Sequence, residues 1–236
     1  MLLQEIRAKL KKLADTEFQK SYMRFFKQGE EIRLIGVRIP AARKIAGEYF
    51  RKIKDRSKKT IFALCEKLLQ SGMQEEIFIA FDWAHRLEKR YKSSDFAVFK
   101  RWLAKYVSNW ATCDDLCTHA LGAFIYKFPE KIPELKRLAN SRNRWLRRAS
   151  AVSLIYTIRR KNMLEDVFAI VDMLLLDADD LVQKAYGWLL KEASNKYPKE
   201  IFDFLDARKD EMPKTALRYA TEKLSPELRK RLMKKS

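Results

Sequence analysis

Apolar residues recur at helical spacing along almost the whole chain, the pattern of amphipathic helices that each bury one stripe. The spacing predicts helices over about 2–14, 16–27, 40–53, 58–71, 74–91, 95–108 and 113–126. It predicts seven more over about 130–140, 144–160, 163–177, 179–196, 198–209, 213–223 and 225–234. Local signals support several starts. Pro40 suits a first helical turn, and Ser225 followed by Pro226 gives a cap with proline at the first position. Thr112 with Asp115 resembles a capping box, which would put Trp110 just ahead of its helix and leave Asp114 the freer carboxylate. No alternating strand pattern interrupts the series.

The links between predicted helices are short, so neighbours should run antiparallel. No Gly-, Ser- or Pro-rich stretch marks a linker, so residues 1–236 are expected to form a single domain. The pairs 144–160/163–177 and 179–196/198–209 are offset by about thirty-five residues, near the known helical-repeat periods. The expected fold is therefore all-α, a superhelical solenoid of HEAT-like antiparallel helix pairs with an extended concave face.

Composition adds a partner to this picture. The chain has 50 Lys and Arg against 31 Asp and Glu, a formal charge of +19. Between Lys136 and Lys161 lie nine basic residues and no acidic one: Lys136, Arg137, Arg142, Arg144, Arg147, Arg148, Arg159, Arg160 and Lys161. Such a run favours an anionic partner, with nucleic acid phosphate first and an acidic protein or membrane as alternatives. A basic concave solenoid would cradle a duplex. The six glycines and six prolines argue against glycine-loop nucleotide folds. Three cysteines suggest a reducing compartment. The first helix is amphipathic and no apolar run approaches ~20 residues, so a cytoplasmic protein without membrane insertion is expected.

Three segments carry candidate chemistry. In 144–160, Trp145, Ala149, Val152 and Tyr156 form the apolar stripe, while Arg142, Arg144, Arg147 and Arg148 crowd the helix start, where free N–H groups already favour anions. In 181–193, Trp188 continues the stripe of Leu181 and Ala185 and could be plain core, with Lys184 and Lys191 beside it. Gly187 in mid-helix costs ~1 kcal/mol relative to alanine and permits close approach of a backbone or a ligand. In 109–124, Asp114 and Asp115 fall in a predicted first turn, where carboxylates complement the helix dipole. Cys113, Cys117 and His119 lie close together there. Their spacing and the lack of a second Cys pair predict no metal.

Taken together, WATCDD at 110–115, RWLRRAS at 144–150, QKAYGWLLKE at 183–192 and LIGVRIPAARKIA at 34–46 resemble four landmarks of the AlkD-type DNA alkylation-repair glycosylases. The last is similar to that family's segment through Gly36, Val37, Pro40 and Arg43. The resemblance implies a horseshoe of helical repeats holding duplex DNA, and hydrolysis of the N-glycosidic bond of N3- and N7-alkylated purines. It implies Asp114 as the catalytic carboxylate and Trp110 and Trp188 as walls around the sugar. It further implies Arg148, Arg43 and Lys191 as backbone contacts; Arg144, Arg147 and Lys184 join them as candidate DNA-binding residues. No cofactor is implied. A monomer would suffice for an open cradle.

The chemistry fits those residue types. Alkylation makes the purine cationic, so it can depart neutral without a strong general acid. Positive charge then grows on the sugar, where a preorganised carboxylate and aromatic faces stabilise it. Holding the sugar while the base stays stacked would tolerate bulky adducts, unlike extrusion into a pocket. Members often show Trp-Asp-x-x-Asp; here Ala111 replaces the first acid and Asp115 adds a neighbour. The competing readings are a non-catalytic module for distorted or branched DNA and a helical scaffold for RNA or an acidic protein.

Overall fold

The computed structural model describes residues 1–26, 30 and 32–234. Its first helices are α1 (Leu2–Lys12), α2 (Thr16–Met23), α3 (Ile39–Lys52), α4 (Lys58–Leu69) and α5 (Gln74–His85). Next come α6 (Phe96–Tyr106), α7 (Trp110–Leu116), α8 (Gly122–Lys127), α9 (Ile132–Ala139) and α10 (Arg144–Ile158). The chain closes with α11 (Leu164–Leu174), α12 (Asp180–Ser194), α13 (Pro198–Asp206), α14 (Lys214–Ala220) and α15 (Pro226–Met233). No strand occurs among the described residues.

The helices form two layers. In one, α3 packs on α5, α5 on α7, α7 on α10, α10 on α12 and α12 on α14. The other layer backs it: α4 lies on α5, α9 on α10 and α11, and α13 on α12 and α15. This is the solenoid of helix pairs that the periodicity predicts. Ion pairs follow the same repeat. Partners such as Arg101–Glu66, Arg147–Asp177 and Arg159–Glu192 stand 35, 30 and 33 residues apart. One repeat therefore speaks to the next.

One continuous apolar core runs between the layers, with Trp83, Trp102, Phe81, Phe99, Phe124 and Tyr186 among its largest buried side chains. Their polar edges are satisfied, as burial requires: Trp83 Nε1 donates to Ala46 O at 2.9 Å, and the Tyr186 hydroxyl to Leu175 O at 2.8 Å.

The turn before α3 explains part of the LIGVRIP segment. The buried Glu75 carboxylate accepts N–H bonds from Ile35, Gly36 and Val37 at 2.8 to 3.1 Å. Gly36 adopts φ +98°, and a β-carbon there would lie 2.7 Å from Asp15 O. Only glycine fits without strain.

In the N-terminal half, the ends of two predicted helices fall short of expectation. The predicted helix 74–91 ends at His85, and the chain folds through a 3-10 turn at Glu88–Arg90. Buried Tyr91 is the reason: its hydroxyl turns back to Ala84 O at 2.7 Å. The predicted helix 16–27 ends at Met23, and its terminal residue 27 lies outside the described residues.

Candidate active site

The site begins with a cap. Asn109 is the N-cap of α7, its side chain accepting from Thr112 N at 3.0 Å, so Trp110 opens the helix instead of preceding it. This corrects the expected Thr112–Asp115 box. Asp114 and Asp115 then fall beyond the first turn, about 100° apart around the helix. From Cys117 to Leu121 the helix widens into a π turn before continuing as α8. Single π turns inside α-helices recur at functional sites.

Asp114 opens into a cleft of about 380 Å³ between α7, α10, α12 and α14. Trp110, Arg148, Leu181, Lys184, Trp188, Lys191 and Tyr219 line it, with Phe25 and Glu30 at its N-terminal side. Arg148 grips Asp114 in two parallel hydrogen bonds: Nε to Oδ1 at 2.8 Å and Nη2 to Oδ2 at 2.7 Å. Its Nη1 donates to the Leu181 carbonyl, tying α10 to α12. Burial works against the Arg148 charge, but the Asp114 carboxylate and its hydrogen bonds outweigh that and raise its pKa further. The guanidinium is thus permanently charged. Three of its five N–H groups are engaged in these bonds.

The two tryptophans are held differently. Phe26 stacks on Trp110, centroids 5.3 Å apart and planes within 16°. Trp188 is half-buried against the core, and its Nε1 donates to Glu192 Oε1 at 3.0 Å. Glu192 in turn accepts from Arg159 Nε at 2.9 Å. Lys184 pairs with Asp180 at 3.1 Å and Lys191 with Glu222 at 2.8 Å. Gly187 does what mid-helix glycine permits. A β-carbon there would meet Ala216 O and Tyr219 Cβ at 2.7 Å, so its absence lets α14 press against α12 and brings Tyr219 to the cleft.

Asp115 points elsewhere. Its Oδ1 pairs with Arg43 Nη2, and Arg43 also reaches Asp82 at 3.8 Å. His119 Nδ1 sits 3.5 Å from the same carboxylate oxygen, while Oδ2 is buried without a hydrogen bond. Burial pushes the Asp115 carboxyl up, and Arg43 and His119 only partly offset it. The capping role expected of Asp115 is therefore wrong, and Arg43 is an internal counter-ion.

The acid-free run 136–161 does not make an acid-free surface. Carboxylates from neighbouring repeats reach it: Lys136 meets Asp166, Arg144 meets Asp179, Arg147 meets Asp177, and Arg159 meets Glu192. Arg137 pairs within its own helix with Glu134, and Arg148 with Asp114. Six of the nine cations are thus paired. Arg144 stays half-exposed, whereas Arg147 is mostly covered. The cysteines are packing residues: Cys113 and Cys117 are fully buried, and burial pushes the Cys113 thiol up.

Sequence reasoning missed Tyr219, Glu192, Leu181 and Phe25 as parts of the cleft or its supports. The signal for Tyr219 lay in Gly187, whose lost side chain asks what comes close; the signal for Glu192 was its i+4 spacing from Trp188.

With this geometry in view, a family model described as DNA alkylation repair enzyme matches residues 6–224. Among solved structures, a predicted DNA alkylation repair enzyme from Enterococcus faecalis superposes with a TM-score of 0.77 at 16% identity. The match covers 90% of this chain and 97% of that one. No curated protein sequence matches significantly.

Proposed function

Since this chain belongs to the DNA alkylation repair enzyme family, we propose that it is a monofunctional glycosylase hydrolysing the N-glycosidic bond of N3- and N7-alkylated purines in duplex DNA. The observation that carries the proposal is one cleft joining the Asp114 carboxylate, the Trp110 and Trp188 rings, and the cations Arg148, Lys184 and Lys191. A role in DNA alkylation repair follows from the family; this constellation supports the reaction and the residue roles proposed here.

The bond between sugar C1′ and the purine nitrogen breaks, and its electron pair neutralises the alkylpurinium, which departs as a free base. Positive charge grows on the deoxyribose. Asp114, fixed from behind by Arg148, stabilises that charge without reorganising. Its unused lone pairs accept a proton from the water that attacks C1′. Trp188 and the face of Trp110 not covered by Phe26 supply aromatic surface to the cationic sugar, worth ~0.5–2 kcal/mol each. The cations Arg148, Lys184 and Lys191 on the cleft lining suit the flanking phosphates. The product is an abasic site. No amine nucleophile takes part, so no Schiff base forms.

A second reading is a non-catalytic module for distorted DNA. It draws on the Asp114–Arg148 pair, which a purely structural role could also explain. Methylated duplex DNA separates the two. The glycosylase releases free 7-methylguanine and 3-methyladenine, leaves the strand uncut, and gives no borohydride-trapped adduct. Release of neither base by folded, DNA-binding protein leaves the binding module.

A further inference from the structure

Arg148 within α10 and Arg159 at its C-cap stand eleven residues apart. Eleven residues are close to three helical turns, so both project from one face. Arg148 clasps Asp114 on α7. Arg159 clasps Glu192 on α12 at 2.9 Å, and Glu192 accepts the indole N–H of Trp188 at 3.0 Å. The two ion pairs therefore flank the cleft from a common beam, one behind the carboxylate and one behind an aromatic wall.

We propose that Glu192, held by Arg159, is a positioning residue for the glycosylase reaction: it fixes the plane of Trp188 and enriches the face that Trp188 turns to the sugar. The proposal rests on the glycosylase reading above and deepens it.

The argument is geometric. Trp188 packs against the core but is only partly buried, so packing alone does not enclose its ring. An N–H···O bond lies in the plane of the indole, and anchoring that edge fixes which face meets the cleft. Glu192 makes the anchor because its own side chain is mostly covered and its other oxygen is bound by Arg159. A carboxylate acceptor polarises the indole and strengthens its attraction for a cation. The Glu192 carboxyl lies below its usual range: burial raises it, but Arg159 and the indole N–H together lower it more. The acceptor is thus anionic at any pH near neutrality. Arg159, which the sequence places among cations awaiting phosphate, serves inside the protein.

Two readouts test this. The first is the indole ¹⁵N–H resonance of Trp188, assigned by its loss in Trp188→Phe. In Glu192→Ala it should move upfield and broaden, while the other four indole resonances stay in place. The second is single-turnover release of 7-methylguanine with duplex affinity measured alongside. Glu192→Ala should slow release about tenfold with affinity changed less than about twofold, since the loss falls on the transition state. Glu192→Gln, which keeps an acceptor, should recover most of the rate, and Arg159→Ala should fall between. An unmoved Trp188 resonance in Glu192→Ala overturns the anchor. Wild-type release by a variant whose resonance has moved overturns the positioning role. Should wild type release no base, the glycosylase reading and the positioning role built on it fall together, whereas the resonance still decides the anchor. If Glu192→Ala unfolds, Arg159→Ala carries the same tests.

Discussion

Asp114 and Asp115 are adjacent in the chain and opposite in circumstance. Asp114 faces a cleft, with both oxygens held by a buried guanidinium and lone pairs left over. Asp115 faces inward between α3, α5 and the π turn, shares Arg43 with Asp82, and leaves one oxygen without a partner. One site is fully paired from behind and open in front. The other is enclosed and only partly satisfied. Neighbouring carboxylates are thus sorted by 100° of helix rotation and by the number of donors each meets, not by residue type. Arg148 compensates the Asp114 charge from within the protein while the carboxylate still lines the cleft.

The comparison breaks most visibly at Arg148. Arg148→Ala leaves Asp114 without its counter-ion and cuts the tie to Leu181, and breaking a buried pair costs ~3–5 kcal/mol. For a chain of this size the midpoint should fall on the order of 10 °C in calorimetry. A drop near that of an exposed pair would mean that Asp114 and Arg148 are not coupled.

A smaller effect is expected at the aromatic walls. Trp110→Ala and Trp188→Ala should each slow base release roughly threefold to thirtyfold, the worth of one cation–π contact. Single-turnover kinetics on 7-methylguanine DNA checks this, and unchanged rates would remove the tryptophans from the sugar site.

The smallest effect sharpens the contrast from the Asp115 side. Its carboxyl is raised in the folded protein, so folding favours its protonated form. That contribution is fully present below the unfolded carboxyl value and is lost as pH climbs through the raised folded value. Asp115→Asn cannot lose a proton, so its stability should decline less across that window. Paired denaturant titrations at several pH values measure the difference. Identical slopes would show that Asp115 is not held up by burial.

Much of this was legible from residue order. Helical periodicity located the elements because each buries one stripe, and Ser225–Pro226 marked its start correctly since capping is local chemistry. The cap of α7 was missed because Asn109 and Thr112 compete for that role three residues apart, and the structure buries Thr112 inside the helix with its N–H bonded to Asn109. The pairing of the basic run was hidden for a different reason. Its carboxylate partners Asp166, Asp177, Asp179 and Glu192 lie in the following helices α11 and α12 and in the link between them. A window along the chain sees charge; only stacking of repeats shows the pairing. Tyr219 was invisible likewise, since α14 reaches the cleft through the gap at Gly187.

The most direct measurement compares Asp114→Asn with Asp115→Asn in single-turnover release of 7-methylguanine from duplex DNA, with DNA affinity and melting recorded for both. Loss of the cleft carboxylate should slow release on the order of a thousandfold at nearly unchanged affinity, while Asp115→Asn should stay within about tenfold of wild type. Equal losses, or a greater loss at Asp115, would contradict the assignment of the reacting carboxylate to Asp114.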